Sequence, residues 1–258
     1  MTGIRNAITA LVAAVLFMAG NVFAAANVQS VRGDVRAGNV QLAVKDRVTS
    51  GATVTTGAGA QVVLRFDDGQ QVVLNENTVF RIVDFRYREA EAGGDRAVFD
   101  LLRGALRMVS GLVGARNRDN FQLRIPQATI GIRGTDFMVA LVNPAFTSVH
   151  TGAISVSNAG GTTVFGAGSY GSVTSSSALA ASIPSSALPA GASSAFSSMG
   201  AAPGVTAGGM AAGAPPSAAV GGFTASEVGV AAAVGLAIAV GVSAIDNETT
   251  TTHHATTP

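Results

Sequence analysis

The sequence predicts an all-β fold, an elongated β roll or solenoid-like domain of mostly antiparallel strands. Three observations carry this. Apolar residues recur with a period of two in run after run. Glycine-containing turns punctuate those runs at short intervals. The segment from Ala128 to Phe137 joins two β runs through Gly131 and Gly134. Cysteine and tryptophan are absent, so Val, Leu, Ile and Phe must build the core without disulfides.

The first residues are a different element. One early charge, Arg5, precedes an apolar run from Ala7 to Phe23 and the small residues Ala24, Ala25 and Ala26. That order is expected of a secretory signal peptide over 1–26, with cleavage after Ala24 or Ala26. No cysteine is present to carry a lipid. The expected location is the periplasm or the envelope.

Residues 27–171 are expected to form the β domain. Val40, Leu42 and Val44 alternate with Gln41 and Ala43; Val62, Leu64 and Phe66 alternate with Gln61, Val63 and Arg65. Asp67-Asp68-Gly69 then predicts a tight hairpin, returning through Val72 and Leu74. Val98 to Gly114 fits either a helix or two strands broken at Gly104 and Gly111, and the surrounding pattern favours strands. Phe121, Leu123 and Ile125 form another run, ended by Pro126. Ile130 and Ile132 precede Gly134, and Phe137, Val139 and Leu141 follow it. Thr151-Gly152 reads as a turn before a last strand at Ile154 and Val156.

The rest of the chain changes character. Residues 172–222 are rich in Ser, Ala, Gly and Pro and are expected to be a flexible linker. Residues 223–245 are expected to hold a hydrophobic helix, with an uncharged run from Val228 to Ile245. A helix of that length spans about 27 Å at ~1.5 Å per residue, close to a bilayer core. It fits a membrane anchor or an Ala-rich packing helix. Residues 246–258 are a polar tail. The net charge of +1 is unevenly spread: every Lys and Arg lies at or before Arg133.

Catalytic patterns do not emerge. The three histidines, His150, His253 and His254, have no partners at metal-site or triad spacing. No enzyme activity, metal or cofactor is expected, and nucleic acid is excluded as a partner by the modest charge and the expected export. Arg103, Arg107, Arg116 and Arg118 bracket an apolar run and are the candidate anion- or partner-binding residues, because a guanidinium fork suits phosphate and carboxylate groups. Surface pairing with Asp84, Glu89, Glu91, Asp95, Asp100 and Asp119 is the alternative use of these arginines.

Several segments, in order, resemble the FecR-like domain. They are Val31-Arg-Gly-Asp-Val35, Val48 to Gly57, Val62 to Gly69, Leu101-Leu-Arg-Gly-Ala-Leu106, and Pro126 followed by Arg133-Gly-Thr-Asp-Phe137. Thr151 to Ser157 and Ala167-Gly168 complete the series. The resemblance implies a periplasmic, non-enzymatic, all-β module. Signalling members carry a cytoplasmic anti-sigma region; here the signal peptide runs directly into the β domain, so a stand-alone module is expected. Its partner would be an envelope protein or an acidic glycan. A membrane-tethered regulator, or a structural protein on acidic polysaccharide, are the competing expectations. In the motif, Gly131 and Gly134 are expected to permit close strand approach or a turn. Arg133 would tie neighbouring groups, and Thr135 would bond backbone. Phe137 belongs to the same structural motif.

Overall fold

Alternation becomes sheet wherever one face can be buried, and here it does so over most of the described chain. A computed structural model describes residues 24–90 and 92–200. Residues 1–23 of the expected signal peptide over 1–26, the helix over 223–245 and the polar tail lie outside the described residues, while Ala24, Ala25 and Ala26 open the first strand. Among the described residues, strands β1 (Ala24–Arg32), β2 (Val35–Ala37), β3 (Val40–Gln41), β4 (Arg47–Thr49) and β5 (Thr53–Thr56) come first. β6 (Gln61–Phe66), β7 (Gln71–Leu74), β8 (Val79–Arg86) and β9 (Arg96–Val109) follow. A short helix α1 (Leu112–Arg116) leads to β10 (Phe121–Ile125), β11 (Ala128–Leu141) and β12 (Ala145–Asn158). β13 (Gly161–Gly166), β14 (Tyr170–Val173), β15 (Ala181–Ile183) and helix α2 (Ala190–Gly200) complete the described chain.

All the strands join one 15-stranded sheet, whose main path runs β15-β14-β12-β11-β10-β9-β7-β6-β1-β4. Pairing is antiparallel except between β9 and β10. Three strands, β9, β11 and β12, are each 14 residues long and change partners part-way. The first part of β9 pairs with β8 and its last part with β7 and β11. β12 likewise pairs with β14 near its start and with β13 near its end.

The inward positions record these bends. In β9, Ala97, Phe99 and Leu101 enter the core at odd positions, then Leu106 and Met108 at even ones. β11 switches from Ile130 and Ile132 to Phe137 and Val139, and β12 from Val149 to Ile154 and Val156. A one-residue slip would turn every side chain outward, so each bend must absorb a residue as a bulge. Gly104, Gly134 and Gly152 sit at the three switches with φ of 85°, 59° and 72°. At Gly104 a Cβ would also collide with Thr78.

One apolar core joins both halves of the sheet. Phe99 lies at its centre, with ring centroids 5.2 Å from Phe66, 5.4 Å from Phe80 and 6.0 Å from Phe121. These aromatic pairs supply the bulk that tryptophan would otherwise bring.

Several expectations change. Of the Val40 series only Leu42 is buried; Val40 and Val44 are exposed, and β3 is two residues long. Thr151-Gly152 is a bend inside β12, not a turn, and three further strands follow. Val98 to Gly114 is strand up to Val109, as its pattern favours, but Gly104 bends that strand instead of ending it and the chain turns helical from Leu112. From Ser172 to Gly200 the segment expected as the start of a flexible linker is structured, with β14, β15 and α2. The reason is a second apolar cluster. Ala192, Ala195, Phe196 and Met199 of α2 cover Val63, Val73, Ala105, Met138, Ala140 and Phe146 on the outer sheet face. The remainder of the linker, 201–222, lies outside the described residues.

Candidate partner-binding site

Val63 shows why a helix docks here. It alternates with the core residues Val62 and Leu64, so it points to the opposite face, yet it is fully buried. Neighbouring strands place Val73, Ala105 and Met138 on that same face, making an apolar strip that needs a cover. α2 presents Ala192, Phe196 and Met199 at i, i+4 and i+7, which is one helical face.

Polar groups fix the C-terminal half of α2. The Gln61 side-chain amide donates to the Ser198 backbone carbonyl at 3.3 Å, and the Ser198 hydroxyl donates to the Asn75 side-chain Oδ1 at 3.0 Å. The Arg107 guanidinium donates to the Met199 carbonyl at 3.5 Å, setting a cation at the negative end of the helix. The same guanidinium holds Asp136 through Nε–Oδ1 at 2.9 Å and NH2–Oδ2 at 2.7 Å.

The N-terminal half is held less completely. Two clefts lie along it, of about 350 Å³ and 390 Å³. Arg103, Leu141 and Val142 line the first; Arg32, Gly59 and Ser198 line the second. Asn75, Glu76, Gly191 and Ala195 line both. The rims therefore carry one acidic and two basic side chains. The rest of the lining is mixed, with Asn75 and small residues beside apolar ones.

The four candidate arginines do not converge. Arg107 is buried in its pair with Asp136. Arg103 lies at the cleft, donating from Nε to the Asn77 carbonyl at 3.0 Å. Arg116 donates to Asp95 at 3.2 Å and to the Arg88 and Glu89 carbonyls, and stacks over Tyr87 at 5.0 Å. Arg118 is exposed beyond α1. Only Arg103 faces the cleft.

The structure adds residues that sequence reasoning did not select. Asp68, read as a hairpin residue, does turn the chain beside Gly69 (φ 86°), but its carboxylate is buried. It accepts from the Gln70 N–H at 2.9 Å and the Val113 N–H at 3.2 Å, so it anchors the start of α1. Burial raises its pKa above the ordinary aspartate value, against those two hydrogen bonds. Asp84 moves the other way, because the Arg86 hydrogen bond stabilises its charged form. Among the described residues no three His, Cys, Asp or Glu side chains gather to hold a metal. No helix among them is long and apolar enough to cross a membrane.

Residues 52–156 match the model of the family described as FecR protein. The chain carries a FecR domain. Two crystal structures of a candidate anti-sigma factor from Parabacteroides distasonis ATCC 8503 are also similar, each with TM-score 0.40 and 18% identity. Each match covers 51% of this chain and 58% of the other, a likeness short of a shared fold. No curated protein matches the chain. The FecR match ends within β12, so β13, β14, β15 and α2 lie beyond it.

Within the FecR domain the motif residues have structural surroundings. A Cβ on Gly131 would press on the Ser155 hydroxyl at 2.7 Å, and Gly134 takes the left-handed conformation at the β11 bend. Phe137 is fully buried in the core. Arg133 is exposed on β11 at that bend. Thr135 differs from expectation. Its backbone, not its hydroxyl, makes the bonds: its N–H donates to the Ser110 hydroxyl and its carbonyl accepts from the Ser110 N–H, both at 2.9 Å. The Thr135 hydroxyl is buried without a protein partner.

Proposed function

We propose that this chain is an exported, non-catalytic FecR-type module that binds an envelope protein at the surface around α2. The pair of clefts beside that helix carries the reading: they share Asn75, Glu76, Gly191 and Ala195, and their mixed polar and apolar lining includes Glu76, Arg32 and Arg103. A mixed lining with charges of both signs suits a protein surface better than a uniformly acidic polymer. The buried charges support a scaffold role, since Arg107 and Asp136 neutralise each other and Asp68 anchors α1.

Site-specific photocrosslinking in intact cells tests this. A crosslinker replacing Glu76 is expected to give a discrete protein adduct in the envelope fraction. The same group at Arg36, an exposed residue on β2 paired with Asp34, is expected to give none. Equal labelling from both positions would reject the site. Salt-sensitive retention on acidic glycan, without a protein adduct, would support a polysaccharide-associated role instead.

A further inference from the structure

Strand edges decide what can be added to a sheet, because an unpaired edge presents a row of backbone N–H and C=O groups to another strand. Among the described residues, β3, β4, β13 and β15 each pair on one side only. Three of these edges are blunted. β3 has two residues, β4 has three and carries Arg47, and β15 has three and runs straight into Pro184. β13 is different. Its six residues, Gly161-Thr-Thr-Val-Phe-Gly166, contain no charge and no proline, and their β-branched and aromatic side chains suit a strand. Phe165 turns into the core, and the Thr163 hydroxyl on the same face donates to the Ala180 carbonyl at 2.7 Å. Val164 turns the other way and is 47% exposed. No charged residue lies between Asp136 and Glu227, so β12, β13, β14 and β15 bring no charge to repel a like copy.

We propose that β13 is the edge through which two copies of this chain associate, antiparallel, about a twofold axis at Val164. A second copy is the occupant because the strand is its own complement. In a continuous sheet, opposite residues share a face, so the axis of a self-paired strand passes through a residue and not between two. Centred on Val164, the pairs are Val164 with its own copy, Thr163 with Phe165, and Thr162 with Gly166. The first joins two exposed valines. The second sets an aromatic ring beside a β-branched residue. The third gives Thr162 a neighbour without a side chain, and no pair opposes like charges. Such an interface is isologous and closes at two copies, because each copy uses its one long free edge. β13 lies beyond the FecR match and lines neither cleft beside α2, so this association stands or falls independently of the α2 reading.

The absence of cysteine makes this geometry testable in the full chain. Sedimentation velocity over a concentration series is expected to show a reversible monomer–dimer equilibrium. Val164→Lys sets two ammonium groups against each other at the axis and is expected to weaken dimerisation about tenfold or more. Because Val164 is exposed, the far-UV circular dichroism of that variant is expected to match the unchanged chain. Val164→Cys is expected to give a disulfide-linked dimer on mild oxidation. Opposite Cα atoms lie about 4.5–5.5 Å apart, inside the roughly 4.4–6.8 Å that a disulfide spans. Thr162→Cys puts the two Cα atoms about 14 Å apart, at ~3.4 Å per residue, and is expected to give none. A monomer at every concentration, a dimer indifferent to Val164→Lys, or equal crosslinking from both cysteines overturns the proposal. In the first case, a disulfide from Val164→Cys to a chain of different mass in intact cells would assign the edge to another protein's strand.

Discussion

Arg107 on β9 and Asp136 on β11 form a two-pronged ion pair whose side chains are only 8% and 3% exposed. The pair sits under the C-terminal end of α2, where Arg107 also meets the Met199 carbonyl. It links the FecR domain to a helix beyond the matched span.

Breaking one partner strands a buried charge. Arg107→Ala or Asp136→Ala is therefore expected to cost about 3–5 kcal/mol of stability. Replacing both with apolar residues of similar volume removes the unpaired charge and should recover most of that loss. Urea denaturation of the two single variants and the double variant measures the coupling; additive losses would show that the pair contributes nothing as a pair.

The bends in the long strands make a second contrast. Gly38 and Gly104 both have positive φ, but space is open around Gly38 while Thr78 occupies the place of a Cβ at Gly104. Gly38→Ala is expected to cost about 1–2 kcal/mol from backbone conformation alone. Gly104→Ala adds steric displacement and is expected to cost about 2–5 kcal/mol. Denaturation midpoints at unchanged m-values would check the order. Equal costs would mean that the β9 bend yields without resistance.

Much of this architecture is legible in the sequence. The alternation of Phe121, Leu123 and Ile125 became β10, and the Asp-Asp-Gly turn formed as expected. Parity switches such as Leu101 to Leu106 are also visible in the letters. They do not say whether a glycine ends a strand or bends it, because both need the same backbone freedom, and Gly152 was read as a turn for that reason. α2 was hidden by composition. Ala and Ser at most positions resemble a linker until the sheet supplies the strip that Phe196 and Met199 cover. Arg107 reads as one of four candidate anion-binding arginines because its partner Asp136 lies on another strand, and one sequence carries no trace of that pairing.

Two aspartates predict opposite pH responses. Burial raises the Asp68 pKa in the folded state, so its contribution to stability is fully present below the unfolded value of about 3.9 and is lost as pH rises through the folded pKa. Asp84 is lowered by Arg86, so its contribution is present above the unfolded value and is lost as pH falls through the folded pKa. Carboxyl NMR titration should place the Asp68 midpoint above 3.8 and the Asp84 midpoint below it. Removing the hydrogen bond with Arg86→Ala should bring Asp84 back toward its ordinary value, while Asp68 stays raised.

The start of β1 predicts where a leader is cut. Ala26 is fully buried and pairs with both Val48 and Phe66, and the Ala25 carbonyl accepts the Asp67 N–H at 3.2 Å. Cleavage after Ala26 would remove the Ala26 pairings and that bond, leaving Asn27 opposite Arg47 as the first pair with β4. Cleavage after Ala24 keeps them, at the loss of the single pairing between Ala24 and Thr49. Under the proposed export, a mature chain that begins at Ala25 keeps more of the β1 pairing than one that begins at Asn27. Intact-mass analysis of periplasmic protein should give that terminus. A chain beginning at Asn27 would show that the first turn of pairing in β1 is dispensable, and one retaining Met1 would argue against export through a cleaved leader.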